Sequence, residues 1–246
     1  KKILAAGEKR ALLISATGTG KTYASAFAMR ELGFRRVLFL VHRGQLARQT
    51  RKSYEKVFAN TVSMGLVGAG YHEYEADYVF ATVQTLNRDE HLLQYAKDAF
   101  DCIVLDEAHH VPADTYRKIM DHFTPKLWLG MTATPDKRDD NVEGRNVYEI
   151  FNYQIAYEIR LQQAMEENLL CPFHYFGITD LSMIGDEEAA RDFNMLTSDE
   201  RVRHIVNQAD YYGYSGDKVK GLIFCSNIKE TEELSAKFNQ IINCLL

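Results

Sequence analysis

The stretch Ser15-Ala16-Thr17-Gly18-Thr19-Gly20-Lys21-Thr22 decides the fold of this 246-residue chain. It continues a short apolar run, Ala11–Ala16, and leads into Thr22–Leu32, whose residues predict a helix. Its two glycines let the backbone turn with N–H groups facing inward, where the amino end of the helix adds positive potential. A strand, a glycine-containing loop and a helix in this order predict a phosphate-binding loop.

Residues of this loop suit a nucleotide and a metal ion. The usual pattern is G-x-x-x-x-G-K-[ST]; Gly20-Lys21-Thr22 matches it, and Ser15 stands at the first glycine position. We expect Lys21 to bind the β and γ phosphates and Thr22 to offer its hydroxyl to Mg²⁺. The alternative is a tight strand–helix turn with an incidental Gly-Lys-Thr. The residues expected to cradle the nucleotide are Thr17, Gly18, Thr19, Gly20, Lys21 and Thr22.

A second stretch, Leu105-Asp106-Glu107-Ala108-His109, places two carboxylates at the end of a hydrophobic strand. Two uncompensated carboxylates there would be costly, and a bound Mg²⁺ would relieve that cost. We expect these residues beside the phosphate loop, with Asp106 on the metal side, acting through water. Glu107 is then placed to orient and deprotonate an attacking water. The alternative is a solvated strand end with two acidic residues.

Apolar runs separated by helical segments predict the fold class. A near-continuous apolar strand is typical of a parallel sheet that is covered by helices on both faces. The sequence therefore predicts a doubly wound parallel α/β domain. Its strands are expected at Ala11–Ala16, Val37–Val41, Tyr78–Thr82, Cys102–Leu105 and Leu127–Met131, with helices at Thr22–Leu32 and Gln45–Phe58.

A second α/β segment follows. The polar stretch Asp136–Asn146 predicts a loop, and Cys171-Pro172 breaks the helical pattern of Ile159–Leu170. We therefore expect two domains, 1–171 and 172–246. The second is expected to contain strands at His174–Ile178 and Val219–Cys225 and helices at Asp199–Tyr212, capped by Ser198, and at Lys229–Asn239.

Composition narrows the class of protein. The net charge of −5 adds no support for nucleic acid, although a local basic patch would suffice for binding. No apolar run approaches the roughly 20 residues that span a bilayer, so we expect no membrane partner. The four cysteines lack metal-ligand spacing, and the expected state is free thiols, buried at Cys102 and Cys225, in a reducing, cytoplasmic compartment.

With both motifs in hand, the chain resembles the superfamily 2 helicases and translocases. It looks most like their DEAH-type group, which includes type III restriction enzymes and bacterial repair helicases, and in which Ala16–Thr22 is a usual form of the phosphate loop. The resemblance implies a RecA-like ATP-binding domain followed by part of a second one. Further motifs match in order: motif Ia at Leu40–Arg43, motif Ib at Ala81–Thr85, motif III at Gly130–Pro135 and motif IV at Leu222–Ser226.

The resemblance implies roles for the loops around the nucleotide. His42, Arg43, Thr82 and Thr85 follow the carboxyl ends of strands, and they are expected to contact the nucleic-acid backbone; ordinary surface loops are the alternative. His109, Thr132 and Thr134 are expected to couple hydrolysis to domain movement, with His109 bonding to motif III or to the second domain. DNA is favoured over RNA as the partner by the resemblance alone.

Parts of the family pattern are missing. An upstream adenine-contacting segment and motifs V and VI, with their γ-phosphate arginine, are not found, so we expect a truncated second domain and slow hydrolysis by this stretch alone. The parent protein is expected to supply the rest of that domain and nuclease or accessory domains. Three other interpretations remain open: the motor subunit of a restriction enzyme, a P-loop kinase, and a nucleotide-gated binding module without hydrolysis.

Overall fold

A computed structural model describes residues 1–59, 61–111, 114–135, 146–178, 193–213 and 221–245. The chain divides into two compact units, Lys1–Pro172 and Phe173–Leu246. Most of the loop predicted at Asp136–Asn146 lies outside the described residues. None of the helices in the described ranges combines the length and apolar character needed to cross a bilayer.

The first unit is built on an eight-stranded sheet within the described residues. The strands are β1 Arg10–Ser15, β2 Val37–Val41, β3 Met64–Gly68, β4 Tyr71–His72, β5 Tyr78–Thr82, β6 Cys102–Leu105, β7 Leu127–Thr132 and β8 Ile155–Ile159. Their order across the sheet is β4-β3-β5-β2-β6-β7-β1-β8. Every pair is parallel except β3–β4, which is antiparallel.

Helices cover both faces of this sheet, which confirms the predicted fold class. In β2, Leu38 and Leu40 join one core cluster, while Val37, Phe39 and Val41 join the other. This alternation places a separate apolar core on each face, as expected for a doubly wound sheet. The helices of the first unit are α1 Lys2–Ala5, α2 Lys21–Leu32, α3 Gly44–Phe58, α4 Val83–Leu86, α5 Asp89–Leu92, α6 Asp114–His122, α7 Val147–Ile150 and α8 Leu161–Glu166, with a 3₁₀ turn at Ala108–His110.

Three strands were not predicted from the sequence, and each departs from the apolar pattern. β3 begins in a Met-Gly pair and ends in glycine, and β4 has two exposed residues. β8 is an edge strand in which Ile159 alone is buried, so it lacks the continuous apolar run of a central strand. As a result Ile159 ends a strand, and the helix predicted over Ile159–Leu170 is shortened to α8.

In the second unit the described residues form three helices, α9 Phe193–Leu196, α10 Asp199–Tyr212 and α11 Ile228–Leu245. The predicted cap is present, since the Ser198 hydroxyl accepts from the Arg201 N–H at 3.2 Å. The strand predictions are wrong where they can be compared: residues 174–178 and 221–225 are not strands, and 219–220 lie outside the described residues. A strand needs a hydrogen-bonded neighbour, and no strand is described in this unit. Phe224 is 93% exposed.

The cysteines of the described residues differ in burial. Cys102 in β6 is a buried free thiol, as predicted, and burial raises its pKa. Cys225, which was predicted to be buried, is a half-buried free thiol, and Cys171 is exposed.

The close packing of Gly130 in β7 gives a stability prediction. A Cβ atom at this position would lie 2.5 Å from Cζ of Phe151, which is fully buried, so Gly130→Ala should lower the free energy of unfolding by about 1–3 kcal/mol. Gly44→Ala is the matched control, because a Cβ there meets nothing within 4 Å at the start of α3. Urea denaturation of both variants measures the difference; equal stability would contradict the packing described.

Candidate functional site

The phosphate loop between β1 and α2 is held by its own hydrogen bonds. The Thr19 hydroxyl donates to the Ala16 carbonyl at 2.6 Å and also contacts the Ser15 hydroxyl. Gly18 and Gly20 have φ angles of 89° and 86°, in the left-handed region that glycine adopts without strain. The serine at the first glycine position therefore takes part in closing the loop.

Lys21 is the first residue of α2, and its side chain turns back over the loop. Its ammonium donates to the Ser15 carbonyl at 3.0 Å and to the Ala16 carbonyl at 3.4 Å. A positive charge at a glycine-containing loop that precedes a helix suits an anion with several oxygens. The position of Lys21 therefore fits the phosphate-binding role expected of the loop.

An apolar cluster lies against the same loop. It contains Ala16, Ile159 and Ala164, with Leu170 packed against them. A Cβ atom at Gly18 would be 3.1 Å from Cδ2 of Leu170, so the end of the segment after β8 closes on the loop. Sequence analysis missed this contact, because nothing in the pattern around Leu170 relates it to a loop about 150 positions earlier.

The carboxylates and the phosphate loop, which the sequence analysis expects side by side, do not follow neighbouring strands. Asp106 and Glu107 follow β6, whereas the loop follows β1, and β7 lies between these strands. The two strands are about 10 Å apart, but the Lys21 charge still reaches Asp106 and acts to lower its pKa. The sequence could not give this strand order, because the order of strands in a sheet depends on long-range pairing.

Asp106 is partly buried, and its surroundings disfavour the ionised form of its carboxyl group. Burial, followed by the neighbouring Glu107 carboxylate, raises the pKa of Asp106 to about 6, although the Glu107 N–H and Lys21 oppose this effect. The Glu107 backbone N–H donates to Asp106 Oδ1 at 3.1 Å. A cation at this carboxylate would relieve both destabilising effects, so the residue fits the metal-side position predicted for it.

Within the described residues, no group of three or more His, Cys, Asp and Glu side chains could enclose a metal ion. This does not conflict with magnesium, which nucleotide enzymes bind through one or two carboxylates together with substrate phosphates. The donor set expected from this chain, the Asp106 carboxylate and the Thr22 hydroxyl, is of that type.

Glu107 begins a contact network that reaches β7. Its backbone is left-handed, with φ of 51°, which is unusual for a residue with a side chain. Nδ1 of His109 lies 3.3 Å from Glu107 Oε2 and 3.0 Å from the hydroxyl oxygen of Thr132. The Thr132 oxygen also accepts from the Thr134 N–H at 3.1 Å. The predicted contact between His109 and motif III is therefore present, and Thr132 is fully buried.

Loops after β2 and β5 carry the residues predicted to meet nucleic acid. Arg43 is exposed at the start of α3, while His42 is half-buried and hydrogen-bonded to Tyr116. The Thr82 hydroxyl caps α4 by accepting from the Thr85 N–H at 3.1 Å, and the two hydroxyl oxygens are 2.9 Å apart. Whether these four side chains contact nucleic acid stays a prediction.

All the predicted site residues lie at or after the carboxyl ends of five parallel strands, β1, β2, β5, β6 and β7. Ligands of open α/β sheets gather at this edge. The structure therefore joins the loop, the carboxylates and the His109–Thr132 contact at one edge, with the Arg43 and Thr82 loops farther along it.

Comparisons with known proteins agree with this geometry. Residues 1–137, more than half of the chain, match the family model described as the type III restriction enzyme, res subunit. The Escherichia coli type I restriction enzyme EcoAI endonuclease subunit is 29% identical over 259 aligned residues, which cover 93% of this chain and 31% of that subunit. The chain thus spans about a third of that relative.

Two solved structures share the fold. The ATP-dependent type ISP restriction-modification enzyme LlaBIII bound to DNA gives a TM-score of 0.67 at 20% identity, over 98% of this chain and 21% of that one. The Pyrococcus furiosus Hef helicase domain gives 0.55 at 19% identity, over 98% and 52%. At these identities the likeness concerns the fold alone.

The environment of Asp106 predicts a dependence of stability on pH. The folded state holds the proton more tightly than the unfolded chain, whose aspartate pKa is about 3.9. The cost of ionisation therefore develops between about pH 4 and pH 6 and is complete above that window. Without metal or nucleotide, Asp106→Asn should be more stable than the native chain at pH 7–8, by on the order of 1–2 kcal/mol, with no gain below pH 4.

Asp101→Asn is the control, because its expected effect on stability at neutral pH is opposite to that of Asp106→Asn. Burial alone would raise the pKa of Asp101, but hydrogen bonds from Lys126 and from the backbone N–H groups of Arg36 and Arg35 lower it overall. Its carboxylate stabilises the fold at neutral pH, so this variant should be less stable there, and the loss should fade as the pH falls. Denaturant unfolding from about pH 2 to pH 8 measures both, because the loss in D101N fades only below the ordinary aspartate pKa of about 3.9. A D106N gain that does not change with pH would contradict the assignment.

Proposed function

Because this chain belongs to the family of the type III restriction enzyme, res subunit, we propose that it forms the ATP-binding core of a nucleic-acid motor. The motor couples hydrolysis of Mg-ATP to movement along duplex DNA. The observation that carries the proposal is the arrangement around β7: the phosphate loop lies on one side, the carboxylates lie on the other, and Thr132 at its end contacts His109.

In this proposal the loop from Thr17 to Thr22 holds the triphosphate. Backbone N–H groups and the amino end of α2 bind phosphate oxygens, because they carry partial positive charge and have no partner within the helix. Lys21 exchanges its bonds to the Ser15 and Ala16 carbonyls for bonds to the β and γ phosphates. Leu170 packs on Gly18 and limits the space on that side of the loop.

Thr22 and Asp106 are the residues that would hold Mg²⁺. When bound, the ion neutralises phosphate charge as it develops during transfer. The raised pKa of Asp106 supports its place in this pair, since the carboxylate lacks a full counter-charge from the described residues. Glu107, farther along the same turn, orients the attacking water and accepts its proton.

His109, Thr132 and Thr134 connect hydrolysis to movement. His109 contacts the base side chain and the end of β7 at once, so a change of charge at Glu107 reaches Thr132 through one imidazole. Thr132 in turn accepts from the Thr134 backbone, which leads out of the sheet. A shift at the carboxylate can therefore alter the course of the chain after β7.

The nucleic acid lies along the loops after β2 and β5 in this proposal. Arg43 supplies positive charge, and Thr82 and Thr85 supply hydroxyls to the phosphates, which requires no particular base sequence. The LlaBIII enzyme is bound to DNA in its structure, which supports DNA as the track. The EcoAI relative is an endonuclease subunit, so we propose that the whole protein adds a complete second RecA-like domain and nuclease or accessory domains.

A direct experiment separates this proposal from its rivals. ATP hydrolysis by the full-length protein would be measured alone, with duplex DNA, with single-stranded DNA and with RNA. Stimulation by duplex DNA supports the motor. Turnover that needs a small acceptor molecule indicates a kinase, nucleotide binding without turnover indicates a gated binding module, and stimulation by RNA alone would replace DNA as the track.

Glu107 and Lys21 should separate turnover from binding in the full-length protein. Glu107→Gln keeps the size of the side chain and removes the base, so turnover should fall by about 10²–10⁴-fold while ATP binding persists. Lys21→Ala removes a charge-assisted donor and should weaken ATP binding by about 10–100-fold. Steady-state kinetics and equilibrium titration measure these effects, with exposed Lys56→Ala as the control. Unchanged turnover in E107Q would remove Glu107 as the base.

Arg43 should contribute to nucleic-acid affinity in a salt-dependent way. Arg43→Ala should weaken DNA binding by about threefold to tenfold at low salt and reduce the slope of log affinity against log salt by about one. Arg35→Ala is the matched control, because Arg35 is also exposed but precedes β2, at the opposite edge of the sheet. Fluorescence titration over a range of salt compares them; equal effects would exclude a specific contact at Arg43.

A further inference from the structure

His42 is engaged by two other side chains. Its Nε2 atom lies 2.8 Å from the hydroxyl oxygen of Tyr116 in α6. Its ring also meets the His110 ring edge-on, with centroids 4.4 Å apart. Tyr116 is 2% exposed and belongs to the core cluster on this face of the sheet. The imidazole that follows β2 is therefore anchored in protein and not directed freely outward.

These contacts continue to Glu107. The His110 and His109 rings are adjacent, with centroids 4.1 Å apart, and His109 Nδ1 is 3.3 Å from Glu107 Oε2. Side chains from three elements thus form a continuous series: Tyr116 in α6, His42 after β2, and His110 and His109 in the 3₁₀ turn. The series starts in the core and ends at the carboxylate proposed as the base.

The turn that carries Glu107 needs such external support. The turn contains three residues, and Glu107, which precedes it as the N-cap, has a left-handed backbone that is unfavourable for a residue with a side chain. Within the turn, His110 N–H donates to the Glu107 carbonyl at 2.9 Å, which closes one short loop. Conformations of this kind persist where surrounding contacts over-determine them, and His42 supplies such a contact through His110.

The protonation states of Tyr116 and His42 are compatible with the hydrogen bond between them. Burial, together with Asp106 and Glu107, raises the pKa of Tyr116, so its hydroxyl remains protonated. Burial and then His109 lower the pKa of His42, and this favours a neutral imidazole. A protonated phenol and a neutral Nε2 can therefore share one hydrogen bond, in which the imidazole tautomer sets the donor.

We propose that Tyr116 and His42 form a pair that positions Glu107. The pair supports the turn at residues 108–110 and connects this turn to the loop that begins at Arg43. The inference rests on the proposed function. His42 immediately precedes Arg43, so a shift of Arg43 toward a phosphate moves the imidazole against His110. The pair therefore affects the turnover rate and its stimulation by DNA, while the phosphate loop binds nucleotide as before.

The experiment compares two tyrosines in the full-length protein. Tyr116→Phe removes a hydroxyl that is hydrogen-bonded, whereas Tyr95→Phe removes one that has no partner among the described residues. Both rings are buried in the same core cluster, so the two variants should change core packing to a similar extent. We expect kcat with saturating duplex DNA to fall about 3–10-fold in Y116F, with KM and Kd for ATP within about twofold, and Y95F to remain within about twofold of the native protein in all three.

Two replacements of His42 give an independent measurement. Gln offers an amide oxygen that can accept from Tyr116, while Ala cannot, so His42→Gln should retain more DNA-stimulated turnover than His42→Ala. Native kcat in Y116F, equal loss in Y116F and Y95F, or equal loss in both His42 variants would overturn the positioning role. A native protein without nucleic-acid-stimulated turnover would instead overturn the proposed function, so the two failures are distinguishable.

Discussion

Parallel pairing of β7 with β1 on one side and β6 on the other is the constraint on which the site depends. Gly130 is paired with Leu12 in β1 and with Leu105 in β6, so one register places both motifs relative to Thr132. The register is strongly determined because both faces of these strands are buried, and a slip of one residue would exchange the two apolar cores. Phe151 against Gly130 adds a steric requirement at the same point.

At the carboxyl-terminal edge of the sheet, two polar residues adopt unfavourable conformations or charge states. Asp106 remains partly buried with a raised pKa, and Glu107 adopts a left-handed backbone. Neither feature stabilises the fold by itself, and residues of this kind cluster where proteins bind ligands or do chemistry. The unfavourable terms are small compared with the two apolar cores that hold the strands, so a rigid scaffold can tolerate a strained edge.

Support for this edge comes from outside the strands. The Thr82 hydroxyl caps α4, Leu170 packs on the phosphate loop, and Tyr116 anchors His42. Each contact fixes a loop that would otherwise depend on its own few hydrogen bonds. A site built in this way can respond to a ligand as a unit, because a shift in one loop displaces the side chains that brace the next.

The sequence by itself determined the strands with continuous apolar runs, the phosphate loop and the carboxylates after β6, because burial pattern and glycine positions are local properties. Through the family resemblance it also predicted that His109 contacts motif III or the second domain, and the contact with motif III is present. It did not give edge strand β8, whose residues are mostly exposed, or the absence of strands at residues 174–178, which depends on pairing partners. Tertiary structure alone decided that β7 lies between the strands that carry the two motifs and that Tyr116 meets His42 across 74 positions. Such contacts follow from strand order and from helices packing on the sheet, and no local pattern of residues encodes the distance between two elements far apart in the chain.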